Sequence, residues 1–180
     1  MSRAAIEAAI PHRDPFLLLD EIVEQDRERI LCRKHFSGAE DFFRGHYPHY
    51  PLVPGVLLCE AAMQAGAVLL AARLADAPRA AGPATTIPPQ AAATRTPGDG
   101  LRHGSAERSA NAAGRARVPV ATRMNNVQFK RMVRPGETID VDVRLIAEAG
   151  AAYELQARVT CRGQLAARFD FVCMLAQAQE

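Results

Sequence analysis

The sequence predicts an α+β fold in which an antiparallel sheet wraps around one long central helix. Two observations carry this. Residues 138–145, 153–162 and 165–175 alternate apolar and polar side chains with a period of two, the mark of strands with one buried face. The segment Val56 to Ala72 is mostly apolar on every side, so as a helix it needs cover all round, which a curved sheet supplies.

The elements follow in chain order. Residues 16–36 read as two strands joined by a polar turn: Phe16-Leu17-Leu18-Leu19 leads to Ile22 and Val23, the turn is Glu24-Gln25-Asp26-Arg27, and Ile30, Leu31 and Cys32 follow. Residues 37–53 are a loop rich in glycine, proline and aromatics. Pro54 opens the helix, because proline's missing N–H has no partner to lose in a first turn. The helix is expected to reach about Leu74 before Asp76-Ala77-Pro78 ends it. Residues 76–117 hold no aromatic, and Ile87 and Leu101 are their only large apolar side chains. Such a stretch cannot offset its ordering entropy, so it is expected to be a disordered, low-complexity insert in a single domain spanning 1–180. From 118 onward about four strands are expected. Ile139, Val141, Val143 and Leu145 share one face of one strand, and Gly150 and Gly163 stand where hairpin turns are needed.

Bulk properties exclude several function classes. The chain has 180 residues, 48% hydrophobic, with a formal net charge of +2, too weakly basic for a nucleic-acid binder. Four cysteines show no CxxC spacing and read as small core residues in a reducing compartment. With the five histidines they form no metal-ligand pattern, so neither metal nor cofactor is expected. The N-terminal MSRAAIEAAIPHRDP carries no secretory signal, and a cytoplasmic location is expected. Val56–Ala72 is nearly long enough to span a bilayer, but Glu60 and Gln64 would be costly in lipid; a soluble core helix is expected instead.

Chemistry concentrates in Gly45 to Glu60. His46 stands in a proline-punctuated loop just before the helix, and Glu60 in the helix's second turn among apolar neighbours, which favour the protonated form of a carboxyl. Gly55 opens the helix, where N–H groups are free and negative charge is favoured. These parts suit β-elimination next to a thioester. His46 takes the α-proton, Glu60 protonates the departing hydroxyl, and the Gly55 N–H stabilises the enolate-like oxygen. Gln64, four residues after Glu60 on the same helix face, can orient its carboxyl. Of the other histidines, His12 is expected to cap or hold the N-terminal turn, His35 ends a strand, His103 lies in the insert, and His49 is expected to be a plain loop residue.

The segments IPHRDPFLLLDEI (10–22), FFRGHYPHYPLVPGVLLCEAAMQAG (42–66) and VQFKRMVRPGETI (127–139) resemble the FabZ-type (3R)-hydroxyacyl-[acyl-carrier-protein] dehydratases. The resemblance covers about residues 6–74 and 118–176. It implies a hot-dog fold, with the sheet as bun and the 54–74 helix as sausage. It also implies that His46 and Glu60 are the catalytic pair, that the Gly55 amide binds the thioester carbonyl, and that Gln64 supports Glu60. Phe43, Tyr47, Val53 and Pro54 are expected along the substrate tunnel. The active site would form between two chains, His46 of one facing Glu60 of the other, in a homodimer or a trimer of dimers. The substrate would hang from the phosphopantetheine arm of an acidic acyl carrier protein, contacted by Lys130, Arg131 and Arg134.

The chain departs from the family pattern at His49 (for glycine), Tyr47 (for phenylalanine), Asp14 (for tyrosine) and Val53 (for methionine), and in the insert. The His49 exchange puts the loop's dihedrals in question, since histidine pays to adopt positive φ. Alternatives are a thioesterase, a dehydratase of a specialised lipid or polyketide pathway, and a non-catalytic acyl-thioester binder. Glu60, where the dehydratase/isomerase subfamily typically has aspartate, favours the plain dehydratase.

Overall fold

In a computed structural model of the chain, residues 1–76 and 117–177 are described. The insert expected at 76–117 therefore lies outside the described residues, except that Asp76 closes a helix and Arg117 opens a strand. The chain forms α1 (Arg3–Ala9), β1 (Glu21–Gln25), β2 (Arg29–His35), a short 3-10 turn (Asp41–Arg44), α2 (Gly55–Asp76), β3 (Arg117–Phe129), β4 (Thr138–Ala149), β5 (Ala152–Cys161) and β6 (Gln164–Gln177). The six strands make one antiparallel sheet in the order β1-β2-β4-β5-β6-β3. α2 packs against its inner face, and this is the expected hot-dog arrangement.

The period-two faces point as their patterns require. Ile139, Val141 and Val143 of β4, Tyr153, Leu155, Ala157 and Val159 of β5, and Phe169, Phe171 and Cys173 of β6 are all buried. They meet Leu58, Ala61, Ala62, Ala65, Leu69 and Leu70 of α2. The helix is long and apolar enough to cross a membrane by composition, and 61% of that stretch is buried within the protein's own core. Helix and sheet come closest at Gly66, where a Cβ would lie 2.7 Å from Phe171 Cζ and 3.3 Å from Leu155 Cδ2. Gly66→Ala is therefore expected to destabilise the fold by about 1–3 kcal/mol through overpacking. A urea unfolding curve with a lower midpoint and unchanged slope checks it.

The N-terminal third departs from expectation in three ways. α1 is an element the pattern did not reveal; it is short, has no side-chain cap, and is held by burial of Ile6. Phe16–Leu19 is not a strand. Phe16 and Leu17 donate their N–H groups to Arg13 O, and Leu18 donates to Gln64 Oε1. Those donors are spent on a turn and a side chain, so sheet pairing begins only at Glu21, which faces Arg33. The turn between β1 and β2 is shifted as well: Asp26 accepts from the N–H groups of Glu28 and Arg29, which holds its carboxyl below the usual range.

β3 pairs with β6 along one edge, and its other edge ends the sheet. Val120, Met124, Val127 and Phe129 stand more than a third exposed on it. A long edge strand with apolar side chains is a surface that proteins normally cover.

All four cysteines are free and buried. Burial pushes the Cys32 thiol up to about 12 and those of Cys59 and Cys173 up to about 11, and raises Cys161 as well. The thiolate is the reactive form, so a disulfide reagent at pH 8 is expected to label the native chain barely and the urea-unfolded chain fully. Prompt labelling of the native chain would contradict the burial.

Candidate active site

His46 sits at the end of a tight backbone structure. Its N–H and that of Gly45 both donate to Phe42 O, at 2.9 and 3.2 Å, and Tyr50 N–H donates to Tyr47 O at 2.8 Å. Tyr47, with φ of 51°, is the residue here in the left-handed region. His49 does not have positive φ, so the histidine costs the loop nothing in that respect. Val53 N–H donates to Val133 O at 2.8 Å and ties the loop's end to the strand connection opposite.

The ring of His46 is fixed by Nδ1, which lies 3.0 Å from Leu52 O. A carbonyl only accepts, so the proton sits on Nδ1 and the Nε2 lone pair is left free. That is the tautomer a general base needs. His46, Tyr47, Val53, Gly55 and Leu58 line a cleft of about 960 Å³. As the first helical residue, Gly55 has an N–H without an intrahelical acceptor. The space of its missing Cβ is occupied by the Phe129 ring, which such an atom would approach to 2.8 Å.

The opposite wall of the cleft is basic, with Lys130, Arg131, Arg134 and Arg162. Glu137, buried beneath it, accepts from Arg131 Nη2 at 2.8 Å and from the Arg134 N–H at 2.9 Å, and lies 3.2 Å from Arg162 Nε. Burial works to raise this carboxyl, but the Arg131 and Arg134 donors outweigh it and hold it below the ordinary range. Arg134 lies 4.8 Å over the Tyr50 ring and donates to its hydroxyl. Lys130 and Arg134 are exposed, whereas Arg131 is half-buried in its ion pair.

Glu60 is elsewhere. It lies two residues after Leu58, about 200° around the helix, and its carboxylate lines a second, more apolar cavity of about 340 Å³ with Met63, Ala67 and Ala71. Gln64, buried beside it, spends its whole amide: Nε2 donates to Glu60 Oε1 at 2.9 Å and to Phe16 O at 2.8 Å, while Oε1 accepts from Leu18 N–H at 2.8 Å. Within one chain, then, His46 and Glu60 open into different cavities. Of the four residues expected along a tunnel, Tyr47 and Val53 line the His46 cleft, but Phe43 and Pro54 line neither cavity. Phe43 is buried against Phe42, ring centroids 4.4 Å apart, and serves the core; Pro54 immediately precedes α2 and is half-buried.

The sequence reading missed His12, which it placed at the N-terminal turn. Its Nε2 lies 3.7 Å from Glu60 Oε1. The signal available was its position in IPHRDPF, but no periodicity shows that this loop folds back onto α2.

A family described as a FabA-like domain matches residues 10–96, the part that carries His46, Gly55, Glu60 and Gln64. A second, described as thioesterase-like, matches residues 98–180, a range that includes strands β3 to β6. A protein of Staphylococcus carnosus called 3-hydroxyacyl-[acyl-carrier-protein] dehydratase FabZ is 31% identical over 162 residues, 89% of this chain and 86% of the relative. One of the same name from Bacillus cereus is 28% identical over 176 residues, 97% of this chain and 96% of its own. Among solved structures, the dehydratase heterocomplex ApeI:P of Xenorhabdus doucetiae superposes with a TM-score of 0.64 at 13% identity, covering 97% of this chain and 91% of the other. A Streptococcus mutans protein solved with acetyl CoA gives 0.54 at 9% identity, covering 89% and 90%. At such identities the structural likenesses speak for the fold.

Proposed function

Because this chain belongs to the FabZ family of 3-hydroxyacyl-[acyl-carrier-protein] dehydratases, and is thus a hydro-lyase of fatty acid synthesis, we propose that it runs the elimination with His46 as base and Glu60 as acid. The substrate is a (3R)-3-hydroxyacyl thioester on acyl carrier protein and the product its trans-2-enoyl counterpart. The observation that carries the assignment is the His46 ring: with Nδ1 held by Leu52 O, Nε2 is presented as a free lone pair in the cleft.

The step balances without a cofactor. Nε2 of His46 takes the proton from the α-carbon, and the C–H electron pair becomes the new double bond. The C–O bond at the β-carbon breaks toward oxygen, which receives the Glu60 proton and leaves as water. As the α-carbon loses its proton, charge builds on the thioester oxygen, which the Gly55 N–H receives. Afterwards the proton on His46 returns to Glu60 through solvent or directly.

Since His46 and Glu60 of one chain diverge around α2, the working pair is formed by two chains. The outer edge of β3, where the sheet ends, with its exposed Val120, Met124 and Val127, is the surface that supports such a homodimer. A trimer of dimers would be built from this same homodimer. The exposed Lys130 and Arg134 at the cleft mouth suit an acidic carrier protein bearing a phosphopantetheine arm. A cytoplasmic location accords with that partner. The thioesterase-like match lies beyond His46 and Glu60 and concerns the sheet.

The test is hydration, the reverse reaction. Purified wild-type chain added to a short trans-2-enoyl thioester is expected to remove the conjugated enoyl absorbance. A well-folded chain inactive on both carrier-protein and coenzyme A thioesters would sink the proposal.

A further inference from the structure

The acid half of the site is more elaborate than one carboxyl and one glutamine. Residues 10–18 form a platform around Glu60. Arg13 clamps it from outside, donating to Ile10 O, His12 O and Glu7 O at 2.8, 2.7 and 2.9 Å. Gln64 clamps it from inside through Phe16 O and Leu18 N–H. Between the clamps the His12 ring stacks on Phe16, centroids 6.1 Å apart and planes 21° from parallel. This stacking turns Nε2 toward Glu60 Oε1, the oxygen that already accepts from Gln64.

We propose that His12 is a positioning residue for this acid, donating its Nε2–H to Glu60 Oε1 so that the transferable proton is held on Oε2. The proposal rests on Glu60 being the acid. Its tautomer follows from the other ring nitrogen: Nδ1 is buried and has no hydrogen-bond partner among the described residues. A buried N–H with no acceptor is costlier than a buried lone pair, so the proton of a neutral ring sits on Nε2. At 3.7 Å the contact is longer than a hydrogen bond. When Glu60 gives up its proton it becomes a carboxylate, and a charged acceptor draws its donors in to about 2.7–2.9 Å. Such bonds are commonly long in the free enzyme and tighten during turnover. Two donors on Oε1 leave Oε2 to carry the proton, and both stabilise the charge that appears on Glu60 only as the hydroxyl departs. An interaction that strengthens in this way raises kcat rather than substrate affinity.

Three variants separate this role from a structural one. His12→Phe keeps the ring on Phe16 and removes the donor, His12→Asn carries its amide at the Nδ1 position, and His12→Gln carries an amide N–H near the Nε2 position. In enoyl thioester hydration, His12→Phe and His12→Asn are expected to lower kcat about tenfold, the scale of a lost hydrogen bond to a charged group, with KM nearly unchanged. His12→Gln is expected to retain most of the wild-type kcat. Placed on Glu60→Gln, His12→Phe is expected to cause no further loss, because the group it serves is gone. Wild-type kcat in His12→Phe, equal impairment of His12→Gln, or an undiminished effect on the Glu60→Gln background would each overturn the role of His12. An inactive wild-type chain would instead overturn the function itself, and this role with it.

Discussion

Replacing Glu60 by glutamine is expected to lower the rate of enoyl thioester hydration by about a hundredfold or more, the usual scale for losing a general acid or base. The chain should stay folded, because the exchange is isosteric and keeps an oxygen for the N–H that Gln64 donates at 2.9 Å. What disappears is a proton that can be given away. His46→Ala should cost a similar factor through the other half of the chemistry, since the Nε2 lone pair held in place by Leu52 O is lost. Both are read from the decay of enoyl absorbance, with thermal unfolding as the control. Near-wild-type rates in either variant remove that residue from the mechanism.

The second large effect comes from mixing those two inactive variants. His46 opens into the cleft shared with Gly55 and Leu58, and Glu60 into the cavity beyond Met63 and Ala67. If each working site takes its histidine from one chain and its glutamate from another, a dimer of one His46→Ala chain and one Glu60→Gln chain contains one site with both residues altered and one with both intact. An equal mixture, unfolded and refolded together, should therefore recover about a quarter of the wild-type rate, since half of the dimers are mixed and each has one intact site. Variants refolded separately and then assayed at once should stay inactive. Failure to recover activity after proven chain exchange would mean that one chain holds a complete site.

The sheet was legible because its strands alternate cleanly: Ile139 to Leu145 and Tyr153 to Cys161 bury alternate side chains almost without exception. The central helix was legible because it is apolar all round. The first twenty residues were not. Leu17, Leu18 and Leu19 look like strand, yet all three are buried in a loop where Arg13 O takes the Leu17 N–H and Gln64 Oε1 the Leu18 N–H. Those are long-range or turn hydrogen bonds, and no local pattern announces them. The same gap hid His12, whose meaning depends on a contact 48 residues away in sequence with Glu60. His46, Gly55, Glu60 and Gln64 were findable because they share one short segment whose chemistry can be argued residue by residue. Phe43 was expected along the tunnel on the family resemblance, and within one chain its ring is buried against Phe42.

The half-turn that separates Leu58 from Glu60 on α2 has a consequence for dilution. When each catalytic unit draws on two chains, the concentration of working sites follows mass action. Specific activity is then constant well above the dissociation constant of the pair and falls in proportion to total chain well below it. The enzyme so built is switched off by scarcity: a cell making little of this protein has less activity than its chain count suggests.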